Sequence, residues 1–300
     1  MFVFTRGTSH VLPSSTVALA ETLSAKLPDD FSRKVLAGSL GASWDSANPI
    51  RANLFAAGLR ELVTYVLHSL APDELVKACG WYQDQRPRRE ADAKKRGAAY
   101  QDRPTRIDRM VYATQGGLSD DFLEKIGLDV DADHRTLREM VDELSKYTHM
   151  RPGSLVEGDQ AVSAFMEAAI HAVLRFHKAI ETVRSAVIDL VTEDINKEAD
   201  AKLTETIVQE LDELSTHTTV EEVVADEIRV TVLGPREIEF YVKGTVYVQL
   251  NYGSSSDFRR GDGASMSDKY PFSVRMGAAM SDFIPYALEA VSVDNSSFYE

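Results

Sequence analysis

The run DQAVSAFMEAAIHAVLRFHKAIETVRSAVIDL, residues 159–190, decides how this chain must be built. Val162, Met166, Ala169, Val173, Phe176, Ile180, Val183, Val187 and Leu190 recur at alternating spacings of four and three, which places them on one seam of a helix. Neither glycine nor proline occurs between Gly158 and Gly234, so no residue there loosens the backbone or removes a donor. After Asp194 a second apolar line takes over at Leu203, Ile207, Leu211 and Leu214. Two readings compete: one very long helix with a register shift, or a helical hairpin turning near Asn196–Asp200. The hairpin is favoured, because a single helix of this span far exceeds the usual three turns. The seam itself can pack on the chain's own helices or form a dimeric coiled coil.

On the N-terminal side of this run the pattern is helical throughout. Ser15–Lys26 and Phe31–Leu40 read as helices, and Pro49 opens a strong one through Leu54, Leu59, Leu62, Val63, Val66 and Leu67, a position where its missing N–H costs nothing. Pro72 starts the segment DELVKACGWY in the same manner. Residues 84–104 are polar without an apolar stripe and read as a loop. Thr105 with Asp108 forms a capping-box pattern ahead of RIDRMVYAT, and Ser119 caps another helix. Leu137, Met140, Val141 and Leu144 form the stripe of a further helix that runs out at Lys146-Tyr147-Thr148-His149.

On the C-terminal side the period changes to two. IRVTVL, EIEFYVK and TVYVQLNY alternate β-branched or aromatic residues with polar ones, and Gly234-Pro235 and Lys243-Gly244 read as turns. A three-stranded antiparallel meander follows. GSSSDFRRGDGASMSDKYPF then reads as a polar loop and PYALEAV as a helix-like piece.

Composition narrows the function classes. The single cysteine, Cys79, excludes an internal disulfide and any cysteine-based zinc site; beside Leu75 and Val76 it reads as a buried structural thiol. No apolar stretch spans a bilayer, and the opening MFVFTRGTSH lacks the apolar core of a signal peptide, so a cytoplasmic protein without membrane contact is expected. Residues 1–158 carry 21 Lys/Arg against 22 Asp/Glu, and residues 159–300 carry 12 against 25. The acidic half repels polyphosphate, so nucleic acid is expected on the first half. No Walker loop, GxGxxG, GxSxG or HExxH occurs. Glu239 and Lys243 stand four apart where a PD-(D/E)xK nuclease needs two.

Three groups of residues carry candidate chemistry. His149 can act as a general base on a ribose hydroxyl, with Lys146 stabilising phosphate charge and Tyr147 or Thr148 donating hydrogen bonds; equally, the macrodipole favours cations at a helix C-terminus without any function. Arg86, Arg88, Arg89, Lys94, Lys95, Arg96, Arg103, Arg106 and Arg109, interleaved with Trp81, Tyr82 and Tyr100, form a basic run suited to phosphate contacts and base stacking, or an exposed loop. Asp257, Asp262 and Asp268 lie in a glycine-rich stretch that could hold a divalent cation, although polar turns have the same composition.

Several stretches together resemble a bacterial family, the predicted pPIWI-associating nucleases: ANLFAAGLRELVTYVLHSLAPDELVKACGWY (52–82), TRIDRMVYATQGGLSDDF (105–122) and LSKYTHM (144–150), then VQLNYGSSSDFRRGDGASMSDKYPF (248–272) and VDNSSFYE (293–300). The resemblance implies a role in prokaryotic defence against phage and plasmids, beside helicase or Argonaute-like partners. A more distant likeness is to HEPN domains, helical bundles that often cleave RNA without metal. Arg51 and Arg60 suit the early helix of that pattern and His149 its end. The arginine expected four to six residues before the histidine is missing; Lys146 is too close and Arg138 too far.

The expectation is therefore an α+β protein. A mainly α-helical, HEPN-like bundle over 1–152 is followed by a long helical hairpin or coiled coil over 159–216 and a small antiparallel β-meander over 226–300. The expected function is that of a defence component acting on nucleic acid as a nuclease, metal-independent RNA cleavage being favoured over metal-dependent cutting; the alternative is a non-catalytic sensor or adaptor that holds an effector. No cofactor is expected, with Mg²⁺ needed only if the aspartate loop is the site. A homo-oligomer, protein partners from a defence operon, and nucleic acid bound through 84–109 are the expected associations.

Overall fold

A computed structural model describes residues 13–151, 153–205 and 209–299; the opening MFVFTRGTSH, Ile207 and Glu300 lie outside the described residues. The class is α+β, as the periodicities imply. The chain forms two compact units, Met1–Val183 and Arg184–Glu300.

The first unit is helical. It comprises α1 (Ser14–Lys26), α2 (Asp30–Ser43), α3 (Arg51–Leu70), α4 (Asp73–Ala78), α5 (Gly80–Lys95), α6 (Arg106–Gln115), α7 (Asp120–Lys125), α8 (Asp131–Thr148) and the first part of α9 (Asp159–Glu205). Its core centres on α3, whose Phe55, Leu59, Leu62, Val63 and Leu67 are buried with Leu23, Leu36, Leu137, Val141, Leu144, Met166, Ile170 and Phe176. Each such side chain contributes about 1.5–3 kcal/mol by leaving water. Helices α2 and α3 approach closely because Gly58 has no side chain; a Cβ there would lie 1.9 Å from the Ser39 Oγ. Capping boxes start α2 at Asp29 and α6 at Thr105.

The basic segment departs from expectation. Residues 80–95 are helical, with Pro87 inside the helix, rather than a loop. The stripe was invisible because an arginine forms part of it: Tyr82 and Ala93 are buried, and the Arg89 guanidinium lies 4.6 Å from the centre of the Tyr82 ring, its aliphatic stem serving as apolar surface. Tyr82 joins Ala71, Val76, Cys79 and Tyr112 in a second small core, where burial pushes the Cys79 thiol up to about 12.

The hairpin in the long run is not formed. Helix α9 continues without interruption for 47 residues through Asn196–Asp200. Its seam is also not left open for a second chain: Val162, Met166, Ala169, Val173, Phe176, Ile180 and Val183 are all buried within this one, and only Leu190, at 45 % exposed, remains largely uncovered. The dimeric coiled coil has therefore lost its apolar contact line to intramolecular packing.

In the second unit, Val187, Val191, Ile195, Ala199 and Leu203 of α9 are buried. The helix donates Arg184 Nη1 to the Val230 carbonyl (3.4 Å) and receives the Ala225 N–H at Asn196 (2.9 Å) and the Ala287 N–H at Glu198 (3.3 Å). A short helix α10 (Gln209–Asp212) precedes β1 (His217–Leu233), β2 (Glu237–Tyr252), α11 (Ser255–Arg260), β3 (Ala264–Ala279), β4 (Pro285–Ala287) and β5 (Ser292–Val293). The order is β1-β2-β3-β4, antiparallel, with β5 on β3. EIEFYVK and TVYVQLNY are one strand, not two. Lys243-Gly244 is not a turn: Gly244 is required by close approach, since a Cβ would lie 2.1 Å from the Val224 carbonyl oxygen. ASMSDKYPFSVRMGAA, read partly as loop, is β3, and the helix-like PYALEAV contains β4.

Candidate nucleic-acid-cleaving site at the end of α8

Helix α8 delivers Lys146, Tyr147 and Thr148 in its last turn, and His149 follows in extended conformation. The buried Asn53 of α3 holds this end in place, its amide donating to the carbonyls of Tyr147 (2.8 Å) and Ser154 (3.0 Å). The Tyr147 ring packs against Phe165 of α9, centroids 4.9 Å apart. Ser154 Oγ faces the His149 carbonyl at 3.4 Å. Backbone and phenyl contacts thus fix the segment, while the His149 side chain is exposed and makes no hydrogen bond among the described residues.

The cations divide. Arg51 is buried and paired with Asp159, a structural contact between α3 and α9. Arg60, two turns further along α3, reaches Thr148 Oγ1 at 3.3 Å and holds Glu61 at 2.5 Å. Lys146 pairs with Glu143 at 2.6 Å and is largely exposed; that carboxylate holds its ammonium above the ordinary value. Arg60 of α3 thus reaches the hydroxyl of Thr148, the exposed His149 follows directly after it, and Lys146 stands in the same last turn. Such a set can take and return a proton and stabilise a phosphate in transit. Arg60 is marked by the HEPN likeness; Asn53, far before His149 in the chain, is not, and only its place one heptad ahead of Arg60 on α3 points to it.

The nine basic residues of 84–109 do not act as one patch. Arg86 pairs with Glu90, Lys95 lies 3.8 Å from Asp92, and Arg106 lies 3.6 Å from Asp142. Arg89 forks onto the buried Asp108 at 3.0 and 2.5 Å. Arg109, 3 % exposed, binds Asp73 and the Ala71 carbonyl inside the fold. Arg88, Lys94, Arg96 and Arg103 are exposed and free of ion pairs among the described residues.

The three aspartates are spent locally. Asp257 closes the capping box of α11, accepting from Ser254 N–H and Oγ at 2.7 Å each, and pairs with Arg260 at 2.5 Å. Asp262 lies 3.7 Å from Arg260. Asp268, on β3, accepts from Tyr270 Oη at 2.6 Å. Among the described residues no group of three or more His, Cys, Asp or Glu side chains is placed to hold a metal. No helix among them is long and apolar enough to cross a membrane.

A family model described as predicted pPIWI-associating nuclease matches residues 24–173, and a second with the same description matches residues 180–299. No curated protein and no solved structure matches the chain. The end of α8 and its supports on α3 fall within the first match.

Proposed function

The chain belongs to the predicted pPIWI-associating nucleases, and from that premise we propose that it cleaves nucleic acid, RNA foremost, at the end of α8 as part of a prokaryotic defence system. His149 removes the proton from a ribose 2′-hydroxyl, whose oxygen attacks the adjacent phosphorus, and the 5′-oxygen leaves with a proton returned by the imidazolium. Arg60 and Lys146 face the charge that builds on the phosphate oxygens, and Tyr147 offers a hydroxyl donor, while Thr148 gives its proton to the Ser145 carbonyl and accepts from Arg60. This is the chemistry of a HEPN-like site. The observation that carries it is the contact of Arg60 with Thr148: a guanidinium from α3 stands at the residue before the exposed His149, where α8 itself has no arginine at the HEPN spacing.

The test is cleavage of labelled RNA, single-stranded DNA and duplex DNA by wild type and His149→Ala, each with and without EDTA. EDTA-resistant RNA cutting that the mutant lacks is expected. Cutting that EDTA abolishes and the mutant retains overturns the site. No cutting by the wild type under any condition leaves the sensor or adaptor reading.

A further inference from the structure

The connection between α5 and α6 and the C-terminal part of α5 form a cavity of about 430 Å³, open on one side, whose walls include Arg89, Asp92, Arg96, Ala99, Tyr100 and Arg103. That volume suits a small molecule or one unit of a polymer. Two of its guanidinium groups have capacity to spare. Arg96 gives its Nε to the Asp92 carbonyl at 3.2 Å and keeps both terminal nitrogens unengaged among the described residues; the side chain of Arg103 makes no hydrogen bond or ion pair among them. The third, Arg89, is saturated by Asp108 and Gln85.

The nearby carboxylates are occupied. Asp92 has Lys95 beside it, and Asp102 accepts from the phenols of Tyr82 at 3.1 Å and Tyr100 at 3.2 Å. The same bond pins the Tyr100 ring in the cavity wall. A helix dipole accounts for cations at the end of α5. It does not account for Arg103, which comes from the following connection, or for an aromatic face between the two.

We propose that this cavity binds a phosphorylated nucleotide unit, its phosphate between Arg96 and Arg103 and its base on the Tyr100 ring. Paired guanidinium forks match phosphate oxygens, and a tyrosine face accepts any base. The unit is a free nucleotide or the 5′-phosphate end of a strand. The inference rests on the nuclease reading for the polymer only; binding requires no contribution from His149. Arg106, next to the rim residue Thr105, pairs with Asp142 on α8, about two turns ahead of His149, so the cavity and the α8 corner share a framework.

Titration calorimetry on the full chain compares adenosine 5′-monophosphate with adenosine, and a 5′-phosphorylated RNA oligonucleotide with its 5′-hydroxyl form. The phosphate-bearing member of at least one pair should bind about tenfold or more tightly, the worth of one lost charge-assisted contact. Discrimination in the first pair alone assigns a free nucleotide, and discrimination in the second assigns a strand end. Arg96→Gln with Arg103→Gln, and separately Ala99→Glu, should each weaken binding by about tenfold. Lys34→Gln with Lys125→Gln, exposed positions away from the cavity, should change it by less than about twofold. All five positions are exposed, and circular dichroism confirms that each variant folds. No preference for phosphate in either pair, or full binding by both cavity variants, overturns the proposal. His149→Ala separates the two readings: it should bind as wild type does, whereas a wild type that binds but never cuts sinks the nuclease reading alone.

Discussion

The corner at the end of α8 and the loop between β2 and β3 are both dense in ionisable side chains, yet they differ in what is left over. In the loop and the start of β3, each aspartate already serves the backbone or a neighbour: Asp257 caps α11, Asp262 faces Arg260, and Asp268 on β3 receives Tyr270. At the corner, the structural tasks fall to other groups. Asn53 ties down two carbonyls, Tyr147 packs on Phe165, and Arg51 joins α3 to α9. His149 is thereby held in position without being consumed. The difference teaches that a candidate site is singled out by polar groups with no structural partner, not by their number.

The largest effect that would sharpen the comparison is chemical. His149→Ala should lower RNA cleavage by about a hundredfold or more, the lower end of what a general acid–base group supplies. Asn substitution of all three aspartates should leave the cleavage rate within about twofold, measured in the same assay. Loss in the aspartate variant, and none in His149→Ala, would reverse the roles assigned to the two regions.

Next comes the anchoring of the corner. Asn53→Ala leaves two part-buried carbonyls without their donor and should cost about 1–2 kcal/mol, read from urea denaturation; cleavage should fall with it at temperatures where the protein remains folded. A smaller effect belongs to the loop. Asp257→Ala removes the reciprocal cap of α11 and should cost about 1 kcal/mol, with no change in melting temperature caused by added Mg²⁺ in either protein. A Mg²⁺-dependent rise in the wild type alone would restore a metal role to the loop.

The smallest effect is a dependence on pH in the helical unit. Burial lowers the folded-state pKa of His134, whose Nε2 lies 2.8 Å from Thr114 Oγ1. The unfolded chain therefore takes the proton more readily, so this contribution is complete above about pH 6.5 and is lost as the pH falls below it. Between pH 7.5 and 5.5 the wild type should lose more stability than His134→Gln, compared by urea midpoints. Burial lowers His177 in the same direction, so the variant reduces the loss without abolishing it.

Much of this was legible in the residues. The stripes of α3, α8 and α9, the caps at Thr105 and Ser119, the alternation in β1 and β2, and the buried thiol of Cys79 follow from local period and side-chain chemistry. His149 was also visible, as an imidazole placed just past an apolar stripe. Three features were not. The stripe of α5 counts Arg89 among its packed residues, which only the Tyr82 ring beneath it makes intelligible. The continuity of β2 through Gly244 depends on the neighbouring Val224 and Phe272, not on the local turn composition. The uninterrupted course of α9 reflects burial of Asn196 and Ala199 neighbours against a sheet that comes later in the chain.

The sequence by itself therefore determined the α+β class, the succession of a helical half and a strand-rich end, and the family, because these follow from hydrophobic period, capping chemistry and motif. Tertiary structure alone decided which charges remain available. Arg60 is brought to Thr148, Arg109 is withdrawn into the core, Arg96 and Arg103 are left facing one cavity, and Asp257 is committed to a helix end. The physical reason is that a charged group is claimed by whichever partner lies within about 4 Å, and that partner is set by packing between segments far apart in the chain.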